Sequence, residues 1–316
     1  MSMPAFMQSA LHPAGADAAV IHSLTWLLII GATVILAGMM LLLALAMRQR
    51  SQGNPIRPLR WLIGGGVLLP LVVLSALLAW STLQSAWLTR PSSQHALKIA
   101  VTAKMWWWEV RYTDPAGGPD IVLANEIRLP AGQSAYLGLS STDVIHSFWV
   151  PALAGKVDML PGRLHGLTVR ADNPGIYRGQ CAEYCGQQHA RMALHVVVQT
   201  PDEFKAWLAR QAQAGAMPAS SQALRGRDAF VAHRCTACHT VRGLATPAPQ
   251  ETLGPDLTHI GSRLYLGAGT LRNTRGALAG WIADPHASKP GVRMPAAGDI
   301  DGPTLADIAA YLEQLQ

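Results

Sequence analysis

Acidic side chains are missing from a long stretch of this 316-residue chain: none occurs between Asp17 and Glu109. Charge is scarce throughout, at 14% of residues, and aromatics make up only 6%. With half of the residues hydrophobic, the composition excludes a disordered chain, and the length exceeds one small core. Cysteine is rare as well. Four in the whole chain, arranged as the close pairs Cys181/Cys185 and Cys235/Cys238, exclude a disulfide scaffold and point to metal, redox or haem chemistry. The net charge of +6 is also local, because Arg48, Arg50, Arg57 and Arg60 fall together between two apolar runs. Elsewhere basic and acidic residues nearly balance, so the striped basic surface of a nucleic-acid binder is absent.

What is present begins with residues 23–47, an uncharged run that as a helix is about 37 Å long, more than the hydrocarbon core needs. A second uncharged run covers 61–82, with Trp61, Trp80 and Trp87 near its ends, where amphipathic rings favour the interface. Two spans make a hairpin. Its arginine-rich loop faces only Arg90 beyond the second span, so the positive-inside rule puts the loop in the cytoplasm and both termini outside it. A cleaved signal peptide is disfavoured: the first run is too long, has no basic residue before it, and ends in RQR. Without a carboxylate, neither span offers a proton relay.

After residue 94 the pattern changes to short alternating runs: ALKIAVTA, WWWEVRY, NEIRLP, SAYLGLSS, VIHSFWV, LHGLTVRA, GIYRGQ and MALHVVVQ. About eight short strands predict a Greek-key β-sandwich over residues 94–200. Inside it, CAEYCGQQHARM supplies two thiolates, an imidazole and a thioether within a dozen residues. That soft donor set suits copper; zinc seldom takes a thioether, and hard cations want oxygen. Two thiolates in one loop can also bridge two metal ions, which requires a second histidine. His146 in DVIHSFWVP is the natural candidate, whereas His165 and His195 lie in strand-like runs and read as packed or surface histidines.

DVIHSFWVPALAGKVDMLPGRL followed by CAEYCGQQHARM resembles subunit II of haem-copper cytochrome c oxidases, as do the hairpin, the WWW segment and SALHPAGADAA, in the same order. The resemblance implies a cupredoxin-like domain holding the binuclear copper centre CuA, with ligands His146, Cys181, Cys185, His189, Met192 and the main-chain carbonyl of Glu183. It further implies that the Glu183 side chain reaches a magnesium ion at the interface with subunit I, and that Trp106 is the entry point for electrons. Quinol oxidases of this fold have lost the copper ligands, so the intact set argues against them. One departure stands out. Many members carry a glutamate near the start of the second span, at the mouth of a proton path, where this chain has RPLRWLIGGG.

The segment 201–220 reads as a short helix, PDEFKAWLARQ, and a small, polar, flexible linker. Beyond it, Cys235-x-x-Cys238-His239 is the attachment signature of a c-type haem: two thioether bonds to the vinyl groups, with the histidine beneath the iron. Met294 is the only methionine after His239 and so the candidate second axial ligand, with His259 and His286 as bis-histidine alternatives. Helical runs around the motif fit a small all-α class I cytochrome c domain over 221–316. By resemblance, Pro255 and Arg263 contact the haem and its propionates.

The whole is therefore expected to be a membrane α-hairpin within residues 1–93, an all-β cupredoxin-like Greek-key sandwich, and an all-α cytochrome c domain. The combination resembles subunit II of a caa-type oxidase, which implies subunit I and other oxidase subunits as partners. It also implies membrane lipid around the hairpin, and an external donor such as a cytochrome c or the preceding respiratory complex. The redox domains would lie on the periplasmic side of a bacterial-type plasma membrane. Neighbouring readings are a CuA-containing nitric oxide reductase subunit, a stand-alone membrane-anchored carrier and a copper-delivery protein.

Overall fold

The computed structural model describes residues 8–49, 58–88, 97–114, 117–118, 120–244 and 253–316. Arg50, Arg57 and Arg90, and the expected boundary at 93–94, lie outside the described residues. Two compact units emerge: residues 17–91, and residues 1–16 with 92–316.

The first unit is the hairpin. Helix α1 (Ala16–Gln49) starts before the expected apolar run and ends beyond it, because the flanking ADAAVIHS and RQ contain no helix breaker. Helix α2 (Pro58–Ile63) passes through a π-helical turn at Gly64–Leu68 into α3 (Leu69–Leu88). Three consecutive glycines fill that turn, where helical preference is weakest. The stretches Ala16–Arg48 and Leu59–Ala86 have mean hydropathies of 2.7 and 2.4 and are long enough to cross a membrane.

The second unit opens with a sandwich of two five-stranded sheets. Their strands are β1 (Leu97–Lys104), β2 (Trp107–Tyr112), β3 (Ile121–Ala124), β4 (Glu126–Pro130), β5 (Ser134–Ser141), β6 (His146–Trp149), β7 (Val157–Met159), β8 (His165–Arg170), β9 (Gly175–Cys181) and β10 (Ala193–Gln199). One sheet runs β3-β2-β1-β5-β8 and the other β4-β10-β9-β6-β7. Pairs β1/β5 and β4/β10 are parallel, so neighbours in space are distant in sequence. The eight expected strands are present. Sequence patterning missed β3 and β7, whose four and three residues are too short to display a period. Alternating inward residues, among them Val101, Val110, Leu137 and Val196, fill the core with Trp108, Tyr112 and Phe148. Trp106 stands outside β2, in the turn before it, contrary to the expectation of a three-tryptophan strand. The segment before α1 is pinned to this sandwich: the amides of Ala14 and Gly15 donate to the Ala152 carbonyl, and Gly15 bridges Ala171.

Helix α4 (Pro201–Gln211) begins with a reciprocal capping box between Thr200 and Glu203 and buries Phe204 and Trp207 against the sandwich core. The residues after α4, expected to be a free linker, are bonded to the next domain. Arg242 donates to the Gln211 and Ala212 carbonyls, the Gly215 amide to Arg242, and the Ala219 amide to Gln314. Beyond them come α5 (Ser221–Ala232), α6 (Arg275–Ala283), α7 (Pro285–Ser288) and α8 (Gly302–Gln314), with a two-residue ladder, β11 (Tyr265–Leu266) with β12 (Leu271–Arg272), in an otherwise helical domain. Helices α5 and α8 cross at Gly226, where an added Cβ would lie 1.9 Å from the Asp307 carbonyl oxygen. Only glycine lets the backbones approach so closely. Phe230 and Tyr311 then pack edge to face with centroids 5.9 Å apart.

Candidate functional site

The first site is assembled at one end of the sandwich by β6, the end of β9 and the loop leading to β10. His146 opens β6, Cys181 closes β9, and His189 lies in a single 3-10 turn that returns the chain to β10. This brings five donor side chains and one carbonyl together. The Cys181 and Cys185 sulfurs are 3.8 Å apart. His146 Nδ1 lies 3.8 Å from Cys181 and His189 Nδ1 lies 3.7 Å from Cys185. The Glu183 carbonyl is 3.1 Å from Cys181, and the Met192 sulfur 3.9 Å from Cys185. Each thiol thus has one imidazole nitrogen and one weaker donor beside it. His146, Cys181, Cys185 and Met192 are buried, so the donors face one another rather than water.

The electrostatics follow from that packing. The hydrogen bond between the two thiols holds Cys181 well below the usual thiol range and pushes Cys185 up. Burial alone would depress His146, but its bond to Asp143, with help from Cys181, outweighs this and raises it to about 9. Asp143 Oδ1 is 2.8 Å from His146 Nε2. A carboxylate on Nε2 fixes the ring so that Nδ1 is left for a metal, the arrangement that orients ligating histidines generally. Sequence reading gave Asp143 no role, although an acid three residues before a candidate ligand is a readable signal.

The donor chemistry fits a copper pair bridged by two thiolates: soft sulfur, two imidazoles and two weak axial donors. The Glu183 side chain does not enter this cluster. It is half exposed, 3.7 Å from Lys156. Trp106 is half-buried and donates its indole N–H to the Cys185 carbonyl at 2.7 Å. His165 bonds the Asp158 carbonyl, and His195 is buried and stacked on Tyr265 with centroids 4.3 Å apart; neither belongs to the cluster.

The second site lies after α5. Cys235 and Cys238 are free thiols in a tight turn that follows Arg234, a residue in the left-handed region at φ 58°. His239 is half-buried, and its Nδ1 lies 2.8 Å from the Pro255 carbonyl, leaving Nε2 for an axial ligand. Burial depresses the ring's basicity, and Arg263 adds to this while the Pro255 bond opposes it. Gly254 packs on the ring so closely that a Cβ there would come 2.5 Å from His239 Cε1. Arg263 is buried with its Nε unpartnered, as expected of a guanidinium awaiting an anionic group such as a propionate. These features fit a covalent haem. Met294 packs against the same domain core. His259 Nε2 is engaged 3.1 Å from the Gln213 carbonyl, and His286 accepts from the Gly291 amide.

Fold and donor sets together define a class: a membrane-anchored cupredoxin-like domain with a sulfur-rich metal site, fused to a small haem-attaching domain. Comparison with known proteins agrees. The family of the cytochrome c oxidase subunit II periplasmic domain matches residues 119–200, and the cytochrome c family matches residues 223–316. Cytochrome c oxidase subunit 2 of Alkalihalophilus pseudofirmus is 35% identical over 218 residues, 69% of this chain and 61% of that protein. The same subunit of Bacillus subtilis is 28% identical over 255 residues, 77% of this chain and 69% of that protein. The crystal structure of the periplasmic domain of subunit II of cytochrome oxidase from Bradyrhizobium japonicum is 31% identical. It covers 38% of this chain and 95% of that chain, with a TM-score of 0.35. The chain therefore joins a periplasmic domain of the cytochrome c oxidase subunit II family to a domain of the cytochrome c family. It spans about three fifths of the length of the first of these relatives.

Proposed function

We propose that this chain is the electron-input subunit of a caa-type cytochrome c oxidase, receiving electrons from an external donor and passing them to haem a in subunit I, where oxygen is reduced and protons are translocated. The observation that carries the reading is the paired geometry of the sulfur site, in which each thiol has its own imidazole nitrogen and its own weak donor. A mononuclear copper-delivery site would need neither the second half of that set nor a haem motif. His146, Cys181, Cys185, His189, Met192 and the Glu183 carbonyl would hold the CuA copper pair. Cys235 and Cys238 would attach the haem, with His239 and Met294 as its axial ligands. Bound there, the two groups supply one-electron redox chemistry.

The chain's own residues shape those sites. Asp143 orients His146, the Pro255 carbonyl orients His239, and Arg263 offers charge to a haem propionate. Burial keeps water from the donor sulfurs. Trp106, bonded to the Cys185 carbonyl, is the residue through which electrons would enter the copper site. A magnesium ion at the Glu183 carboxylate belongs to the same reading, since that group points away from the sulfurs and would be completed by subunit I. Val144, Ile145 and Tyr184 are exposed and flank the ligands in sequence, an apolar set suited to a subunit partner. The arginine-rich loop, read by the positive-inside rule, assigns both termini and the redox domains to the periplasmic side.

The test is metal and haem analysis of the native complex with electron paramagnetic resonance. The reading expects two coppers per chain in a mixed-valence seven-line signal, covalent haem, and a copurifying subunit bearing haem a. One copper or none, or a chain that purifies alone, would refute it in favour of a carrier or a copper-delivery protein. A copurifying nitric-oxide-reducing subunit would move the terminal acceptor.

A further inference from the structure

Three consecutive residues of the haem-side domain, Ser288, Lys289 and Pro290, are gripped by residues adjoining the sulfur site. Gln188, beside His189, donates from Nε2 to the Pro290 carbonyl at 2.6 Å. Arg191, beside Met192, donates to the Ser288 carbonyl. Lys289 is only 2% exposed, and its Nζ donates both to the Trp106 carbonyl at 2.7 Å and to the Gly267 carbonyl at 3.2 Å. Trp106 belongs to the sandwich and Gly267 to the cytochrome domain, so one buried side chain bonds both. The Trp106 indole in turn donates to the Cys185 carbonyl. Two hydrogen bonds and one tryptophan therefore connect Lys289 to a copper-ligand residue. Five residues on from Lys289 along the chain is Met294.

Packing alone does not require a lysine there. An aliphatic side chain would fill the space without the desolvation cost of an amine, and no carboxylate among the described residues pairs with Lys289. Burial pulls its basicity down to about 7, against the pull of Cys185, yet either protonation form keeps hydrogens for both carbonyls. What the amine supplies is direction. Apolar surfaces tolerate sliding, whereas two bonds from one nitrogen to carbonyls on two domains fix their register. The surrounding contacts agree: His195 stacks on Tyr265, the Ala193 amide donates to the Ala268 carbonyl at 3.0 Å, and the Leu264 amide donates to Glu126 at 3.0 Å.

We propose that Lys289 is a positioning residue, the key of a fixed joint that seats the Met294-bearing segment against Trp106, so that electrons cross between the two centres of this chain through one contact geometry and not by tethered collisions. The inference rests on the function proposed above. The step it serves moves one electron from haem to copper, with no bond made or broken and no proton transferred.

The test uses the full-length chain in its complex, with Lys289→Met, which keeps volume and removes the donors. A second variant carries ten additional Gly/Ser residues between Ala216 and Met217. One readout is amide hydrogen exchange at Ala193 and Leu264, which needs neither metal nor haem. The other is the rate of haem-to-copper electron transfer after flash reduction. Loss of hydrogen bonds from a buried amine predicts about tenfold faster exchange at both amides and an electron-transfer rate lower by a similar factor in Lys289→Met. The longer linker should leave the rate of the parent chain unchanged. It should slow Lys289→Met further, because only a tethered domain feels its effective concentration. Wild-type exchange and rate in Lys289→Met would overturn the joint. So would a slower rate from the longer linker in the parent chain, which decides the matter even if Lys289→Met does not fold. Absence of the copper-pair signal or of covalent haem in the parent chain would instead overturn the function on which the joint rests.

Discussion

Removing the Asp143 carboxylate tests whether the sulfur site depends on its supporting shell. Asp143 accepts three hydrogen bonds of 2.8 Å each, from His146 Nε2, the Met105 amide and the Val144 amide. Asp143→Asn keeps the volume and one acceptor oxygen but presents an NH2 group where one of the donors now bonds. Asp143→Ala leaves all three donors unpaired. Partners that orient a ligating histidine contribute about 10- to 100-fold in metal affinity. The asparagine variant should therefore bind copper about tenfold more weakly and the alanine variant about 100-fold, losses of roughly 1.4 and 2.7 kcal/mol. Competition against a chromophoric copper chelator gives the affinities, and electron paramagnetic resonance of the loaded protein reports whether the two coppers remain equivalent. Both variants should also show an altered copper spectrum, since His146 would be freed to rotate. Wild-type affinity with a wild-type spectrum in Asp143→Ala would refute the reasoning outright. Wild-type affinity in Asp143→Asn with a loss confined to Asp143→Ala would show that shape, not the carboxylate, is what matters.

Three further outcomes are expected. His195 is held down to about 4 by burial, with Arg178 adding to the effect. A base depressed in the folded state leaves the unfolded chain holding the extra proton, so stability is greatest above about 6.5 and is lost as pH falls toward 4, by roughly 3 kcal/mol in all. Denaturant unfolding at pH 5 and 7 should show a smaller pH dependence in His195→Phe, and an unchanged dependence would sink this account. Gly254→Ala should retain covalent haem, visible by haem staining in a denaturing gel, while shifting the absorption spectrum, because the new methyl group displaces the His239 ring; an unchanged spectrum contradicts it. Trp108→Ala, emptying a fully buried site that packs on Phe148, should cost about 3–5 kcal/mol in urea unfolding of the metal-free chain, and a loss under 1 kcal/mol would be inconsistent with that packing.

The candidate ligands were legible because each site draws most of them from one short loop: residues 181–192 carry two thiols, an imidazole and a thioether, and residues 235–239 carry the haem motif. Strands long enough to alternate were legible too. What escaped depends on contacts between distant residues or on elements too short to show a pattern. Strand β3 has only four residues and is recognised by pairing with β2. Lys289 reads in sequence as a solvated charge in a polar turn, and only the meeting of Trp106 with a segment 183 positions later makes it a buried one. The linker composition suggested freedom, because nothing local announces that Arg242 will hold its carbonyls.

The bonds from Ala14 and Gly15 to Ala152 bear on how the protein is made. Ribosomes deliver these two residues before both hydrophobic helices, and the strand partners only after the helices. Under the topology proposed above, a hairpin that inserted with one helix left behind would keep this segment from the sandwich, whose Ala152 carbonyl and Ala171 edge would then go uncovered. Closure of the Ala152 and Ala171 edge is thereby a consequence of the topology proposed above, and not of the sandwich sequence alone.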